Sequence, residues 1–64
     1  MVNDMERKLV FQANAEALLK ASYFLIDHVA RSDDEHIALA ARKLAENLKN
    51  RALLYKEKAI RLNT

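Results

Sequence analysis

The 64-residue sequence contains neither glycine nor proline, and this absence restricts the accessible folds more than any other feature. Tight β-hairpins and phosphate-binding loops depend on glycine, so both are disfavoured. Hydrophobic residues make up 52% of the chain, and many of them are alanine and leucine, which favour helices. The sequence therefore predicts an all-α protein.

The helical pattern is interrupted once, at residues 31–35, which read Arg-Ser-Asp-Asp-Glu. Ser32 followed by Glu35 matches a capping box. In that motif the serine hydroxyl accepts a hydrogen bond from the N–H three residues later, and the glutamate reaches back. The acidic residues of this segment suit the positive end of a helix dipole. The segment therefore predicts the end of one helix and the start of another.

The helix bounds follow from these signals. Asn3 with Glu6 three residues later predicts the first helix start. We expect helix one at about residues 4–31, a turn at about 31–33 and helix two at about 33–62. All of residues 1–64 then belong to one domain.

Apolar and small residues, with Arg51 as the exception, recur at alternating spacings of four and three on both helices. They are Phe11, Ala15, Leu18, Ser22, Leu25 and Val29 on helix one, and Ile37, Ala41, Leu44, Leu48, Arg51 and Tyr55 on helix two. Folded back at the turn, the two series pair in layers, and Phe11 with Tyr55 is the layer farthest from the turn. The pattern predicts an antiparallel hairpin with packing of the coiled-coil type. We interpret Arg51 as covering apolar surface with its stem while its guanidinium reaches water.

One continuous helix in a parallel coiled coil is the alternative architecture. The series steps from Val29 to Ile37, eight residues, which shifts its phase at the charged break. A long helix with a stutter explains the shift alone, whereas a hairpin explains the shift and the capping box. The hairpin is the preferred interpretation.

Self-association is expected because so short a chain has a marginal core and contains no cysteine for disulfides. Helix one also carries apolar residues on both sides of the predicted seam. These are Leu19, Ile26 and Ala30 on one side, and Val10, Ala17, Ala21 and Phe24 on the other. A helix with so much apolar surface is typically buried by several neighbours. We therefore predict a homodimer in which two hairpins form a four-helix bundle.

Catalytic and metal-binding chemistry finds little support in the sequence. His28 and His36 flank the turn, with acidic residues nearby, but these groups equally suit the charges of the two helix ends. Three defined protein ligands are typical of a catalytic zinc site. We expect no enzyme activity, cofactor, metal or small-molecule substrate.

Apolar residues outside the seam are the candidates for partner binding: Phe24, Leu39, Leu53 and Ile60. The three on helix two recur at heptad spacing, with Glu46 at the missing position. Such a stripe is typical of an interface, either the homodimer contact itself or a docking face for a helix of another protein. We interpret the chain as a non-enzymatic interaction module, such as a regulator, inhibitor or adaptor.

Basic residues on helix two allow a second hypothesis. Arg42, Lys49 and Lys56 recur every seven residues, and we group Arg61 with them. They either steer a protein partner or, doubled in a dimer, follow the phosphates of RNA or DNA. No aromatic residues interleave with them, and the net charge is only +2, which is modest for nucleic-acid binding.

No secretory signal and no membrane-spanning stretch are recognisable in the sequence. We therefore expect a cytoplasmic protein without a membrane partner.

Overall fold

The computed structural model of the protein describes residues 3–62, and two helices account for most of this range. Helix α1 spans Asp4–Phe24 and helix α2 spans Glu35–Arg61. A five-residue π-helix, Leu25–Val29, continues α1 up to the turn. The helices pack side by side in a rod of 47 × 16 × 13 Å, and no strand occurs within the described range. The predicted all-helical, two-helix architecture is confirmed.

The first turn of α1 is capped as the sequence predicts. The Oδ1 atom of Asn3 accepts a hydrogen bond of 2.8 Å from the backbone N–H of Glu6. Asp4 and Glu6 place negative charge in the same turn, where the helix dipole is positive. The local sequence is therefore sufficient to start this helix.

Helix α2 is capped by Asp34, so the predicted capping box at Ser32 and Glu35 is wrong. Asp34 Oδ1 accepts from the backbone N–H groups of His36 and Ile37, at 2.9 and 3.3 Å. The Ser32 hydroxyl instead accepts from the N–H of Asp34, at 3.2 Å. An aspartate is as good an N-cap as a serine, and this one lies closer to the helix. The helix therefore begins at Glu35 rather than at about residue 33.

The π-helix changes the end of the first helix. The N–H of Ala30 donates to the carbonyl of Leu25 at 2.7 Å, the five-residue spacing of a π turn. Regular α-helix thus ends at Phe24, and the chain leaves the helix after Val29. No feature of the local sequence predicts this wider turn.

Small side chains fill the contact between the helices. The buried residues are Ala15, Ser22, Ala30, Ala41, Ala45, Ala52 and Ala59. Half-buried residues complete the contact, and these are Phe11, Leu18, Leu25 and Val29 together with Ala38, Leu48, Tyr55 and Leu62. We call both sets together the interior seam. Neither helix carries, within residues 3–62, an apolar stretch long enough to cross a membrane.

Half of the seam predicted for helix two is wrong. Ile37, Leu44 and Arg51 are exposed, and the alanines one position later along the chain face α1 instead. Alanine lets two helix backbones approach closely, and the larger side chains of α1 fit above it. Arg51 therefore lies outside the seam, at its edge beside Leu18 and Tyr55.

Candidate interaction surfaces

Two of the grooves on the hairpin run along opposite sides of the interior seam, and together they show which residues of α1 neighbour which residues of α2. The larger, of about 520 Å³, is lined by Lys8, Gln12, Ala15, Glu16, Leu19, Lys56, Ala59 and Ile60. On the other side, a depression of about 250 Å³ is lined by Asn14, Ala17, Leu18, Arg51 and Tyr55. The hairpin therefore has two distinct broad faces.

The face with the larger groove carries most of the candidate residues, and we call it the basic flank. It comprises Gln12, Glu16, Leu19, Tyr23 and Ile26 from helix one, and Leu39, Arg42, Glu46, Lys49, Leu53, Lys56 and Ile60 from α2. Leu39, Leu53 and Ile60 are all at least half exposed, and Ile60 reaches 72%. Arg42, Lys49 and Lys56 lie between these apolar side chains and the interior seam. A line of positively charged groups therefore runs beside a line of apolar groups on this face.

Arg61 does not belong to the basic flank. It follows Lys56 by five residues, which places it roughly 140° further around the helix. Its Nη2 atom contacts Glu57 Oε1 at 2.7 Å. Arg61 is thus paired within its own helix and separate from the line of Arg42, Lys49 and Lys56.

Phe24 lies on the face opposite to the other three apolar candidates. It follows Ala17 by seven residues, so it shares the side on which Ala17 neighbours Arg51. Its ring packs on the imidazole of His28, with centroids 4.8 Å apart. The four apolar candidates therefore form two surfaces rather than one.

The half of this second face that is nearest the turn has no Asp, Glu, Lys or Arg, and we call it the uncharged flank. It comprises Ala17, Ala21, Phe24 and His28 from helix one, and Ile37, Ala40, Leu44 and Asn47 from α2. The larger apolar members, Phe24, Ile37 and Leu44, are all about half exposed. Sequence reasoning missed this surface because it assigned Ile37 and Leu44 to the interior.

Two charged pairs within the described residues are exposed to solvent. Glu16 and Lys20 approach to 3.2 Å, and both side chains are largely exposed, as are those of Glu57 and Arg61. Exposed pairs of this kind contribute little to stability. Within residues 3–62, no group of three or more His, Asp or Glu side chains is arranged to hold a metal ion.

Comparison of the chain with protein-family models, with curated protein sequences and with solved structures gives no match. Function is therefore inferred from the two flanks.

Proposed function

We propose that the protein is a small non-enzymatic interaction module, such as a regulator, inhibitor or adaptor. In this proposal, two hairpins associate into a four-helix bundle, and each binds a helix of another protein on its basic flank. One observation carries the proposal. Twelve large hydrophobic side chains of the described chain are 45–72% exposed, whereas every fully buried side chain is alanine or serine.

The total surface area supports self-association. The hairpin exposes 5232 Å². A compact monomer of 7.4 kDa would expose only about 4,200 Å² by the usual scaling of area with mass. The excess of about 1,000 Å² exceeds the roughly 800 Å² that each partner buries in an interface of standard size. The area that a second copy would bury is therefore similar to the excess area that the hairpin exposes.

The chemistry of the basic flank favours a particular kind of protein partner. Leu39, Leu53 and Ile60 offer apolar contacts along one line, and Arg42, Lys49 and Lys56 run beside them. Ile60 and Lys56 line the larger groove, and an amphipathic helix can lay its apolar face into a groove of this kind. Acidic side chains along the edge of that helix would complement the basic line and speed association. We therefore propose an amphipathic partner helix with an acidic edge.

A capture experiment with two adjacent leucines tests this proposal. Leu53 lies on the basic flank and Leu54 lies on the other side of α2, and their exposures are 53% and 57%. Immobilised wild-type protein is expected to retain a stoichiometric protein partner from its own cell lysate after nuclease treatment. Leu53→Asp should abolish retention and Leu54→Asp should preserve it. Equal retention by the two variants would contradict the proposed site.

Nucleic-acid binding is the second candidate, because Arg42, Lys49 and Lys56 are all exposed in one line. On this alternative, the captured material is RNA or DNA and is lost on nuclease treatment. Affinity then falls steeply with salt, since each neutralised phosphate releases counterions. Replacing all three basic residues with glutamate would abolish nucleic-acid binding, whereas Leu53→Asp would leave that binding nearly unchanged. The opposite pattern favours the protein partner.

A further inference from the structure

We infer that the uncharged flank is the surface on which a second copy of the chain packs. The inference rests on the proposed self-association and assigns it to one of the two faces. The basic flank then remains open in the dimer for a different partner.

Charge distinguishes the two faces. In a twofold dimer the same patch meets itself, so any charge near the axis approaches its own copy. On the basic flank, Arg42, Lys49 and Lys56 would have to be desolvated against a copy of the same face, on which only Glu16 and Glu46 carry negative charge. Glu16, the acid nearest the larger groove on α1, already contacts Lys20 at 3.2 Å. The uncharged flank has no Asp, Glu, Lys or Arg to desolvate.

The residue sizes on the uncharged flank also suit a copy of itself. Its large side chains are Phe24, Ile37 and Leu44, and its small ones are Ala17, Ala21 and Ala40. Large side chains of one hairpin would fill the spaces above the alanines of the other, as interdigitated layers require. The charged residues of α2 on the same face, Arg51, Lys58 and Arg61, lie farther from the turn. They would form part of the polar rim that surrounds the core of an interface.

The π-helix is a further local feature of this region. It is the only π-helical segment within residues 3–62, and it begins directly after Phe24. Segments of this kind are frequent at functional sites. Here the segment carries His28, whose ring packs on Phe24 at the edge of the flank.

Thiol protection tests the assignment without disturbing the fold. The chain has no cysteine, so Ala40→Cys on the uncharged flank and Glu46→Cys on the basic flank each introduce a single thiol. The reaction rate with a maleimide is measured as protein concentration increases. We expect the Ala40→Cys thiol to become at least several-fold slower to react, and the Glu46→Cys thiol to remain unchanged. Protection of the Glu46→Cys thiol, or of both thiols, would overturn the inference.

A matched pair of leucines gives the second measurement. Leu44 and Leu53 lie on the same helix and on opposite flanks, with exposures of 49% and 53%. In sedimentation experiments, Leu44→Lys should reduce the mass to that of one chain, whereas Leu53→Lys should remain a dimer. The reverse result would overturn the assignment and leave self-association intact. A wild-type chain that stays monomeric at every concentration would overturn both.

Discussion

The aromatic ring of Phe11 lies against that of Tyr55, with centroids 6.0 Å apart and the ring planes inclined at 32°. The contact joins the two helices far from the turn and therefore fixes their antiparallel register. The Nζ atom of Lys58 lies 5.9 Å from the centroid of Phe11 and 5.4 Å from that of Tyr55. A cation at these distances is attracted to the ring faces. The layer of Phe11 and Tyr55 predicted from the heptad spacing is confirmed.

A double-mutant cycle should detect the coupling between these two rings. We expect Phe11→Ala and Tyr55→Ala to have a coupling free energy of about 0.5–1.5 kcal/mol, the usual range for aromatic pairs. Urea denaturation of the four variants measures it. The control pairs Phe11→Ala with Tyr23→Ala, whose ring is exposed and lies roughly 18 Å further along the helix. Coupling no larger in the first cycle than in the control would contradict the register.

The alanine-lined seam should reject a larger side chain. Ala52 is fully buried, so Ala52→Leu has no room unless the helices separate. Overpacking of this kind costs about 1–3 kcal/mol in the free energy of unfolding. Ala13→Leu is the matched control, because Ala13 is exposed on the outer side of α1, and its effect should lie within about 0.5 kcal/mol. An Ala52→Leu variant as stable as Ala13→Leu would show that another stripe of α2 faces α1.

The cap of α2 should depend on Asp34 more than on Ser32. Asp34 accepts two backbone hydrogen bonds at the start of the helix, whereas Ser32 accepts one within the turn. We expect Asp34→Ala to lower the free energy of unfolding by about 0.5–2 kcal/mol, and Ser32→Ala to have the smaller effect. Thermal or urea unfolding followed by circular dichroism gives both values. A larger loss of unfolding free energy for Ser32→Ala than for Asp34→Ala would contradict the assignment of Asp34 as the cap and favour Ser32.

Local signals were enough to predict the two helices. Asn3 caps the first helix as its spacing from Glu6 indicates, since a side-chain cap depends only on residues within one turn. The cap of the second helix was misplaced because Ser32 and Asp34 are both good N-cap residues within two positions of each other. Choosing between them depends on the turn geometry, which involves the opposite helix.

The orientation of α2 could not be predicted from its pattern. Ile37 and Leu44 recur at seven residues, as do the alanines that follow each of them, so either stripe could face inward. Periodicity alone favours the larger side chains, because burying each would contribute about 1.5–3 kcal/mol. The hairpin buries the alanines and leaves the larger residues on a flank.

The surfaces were harder to predict than the helices. Phe24, Leu39, Leu53 and Ile60 share the property of being apolar and outside the predicted seam, yet Phe24 lies on the opposite face of the hairpin from the other three. The handedness of the turn determines which face of α1 lies on the same side of the hairpin as a given face of α2. The sequence pattern of either helix taken alone carries no information on that handedness.

The central claim is that one hairpin is half of a larger bundle, and the mass of the wild-type chain tests it most directly. Sedimentation equilibrium over a range of concentrations should give twice the 7.4 kDa of one chain at the upper end. The midpoint of thermal unfolding should rise with concentration, because association stabilises the folded state by mass action. A mass of one chain at every concentration, with an unchanging midpoint, would contradict the account.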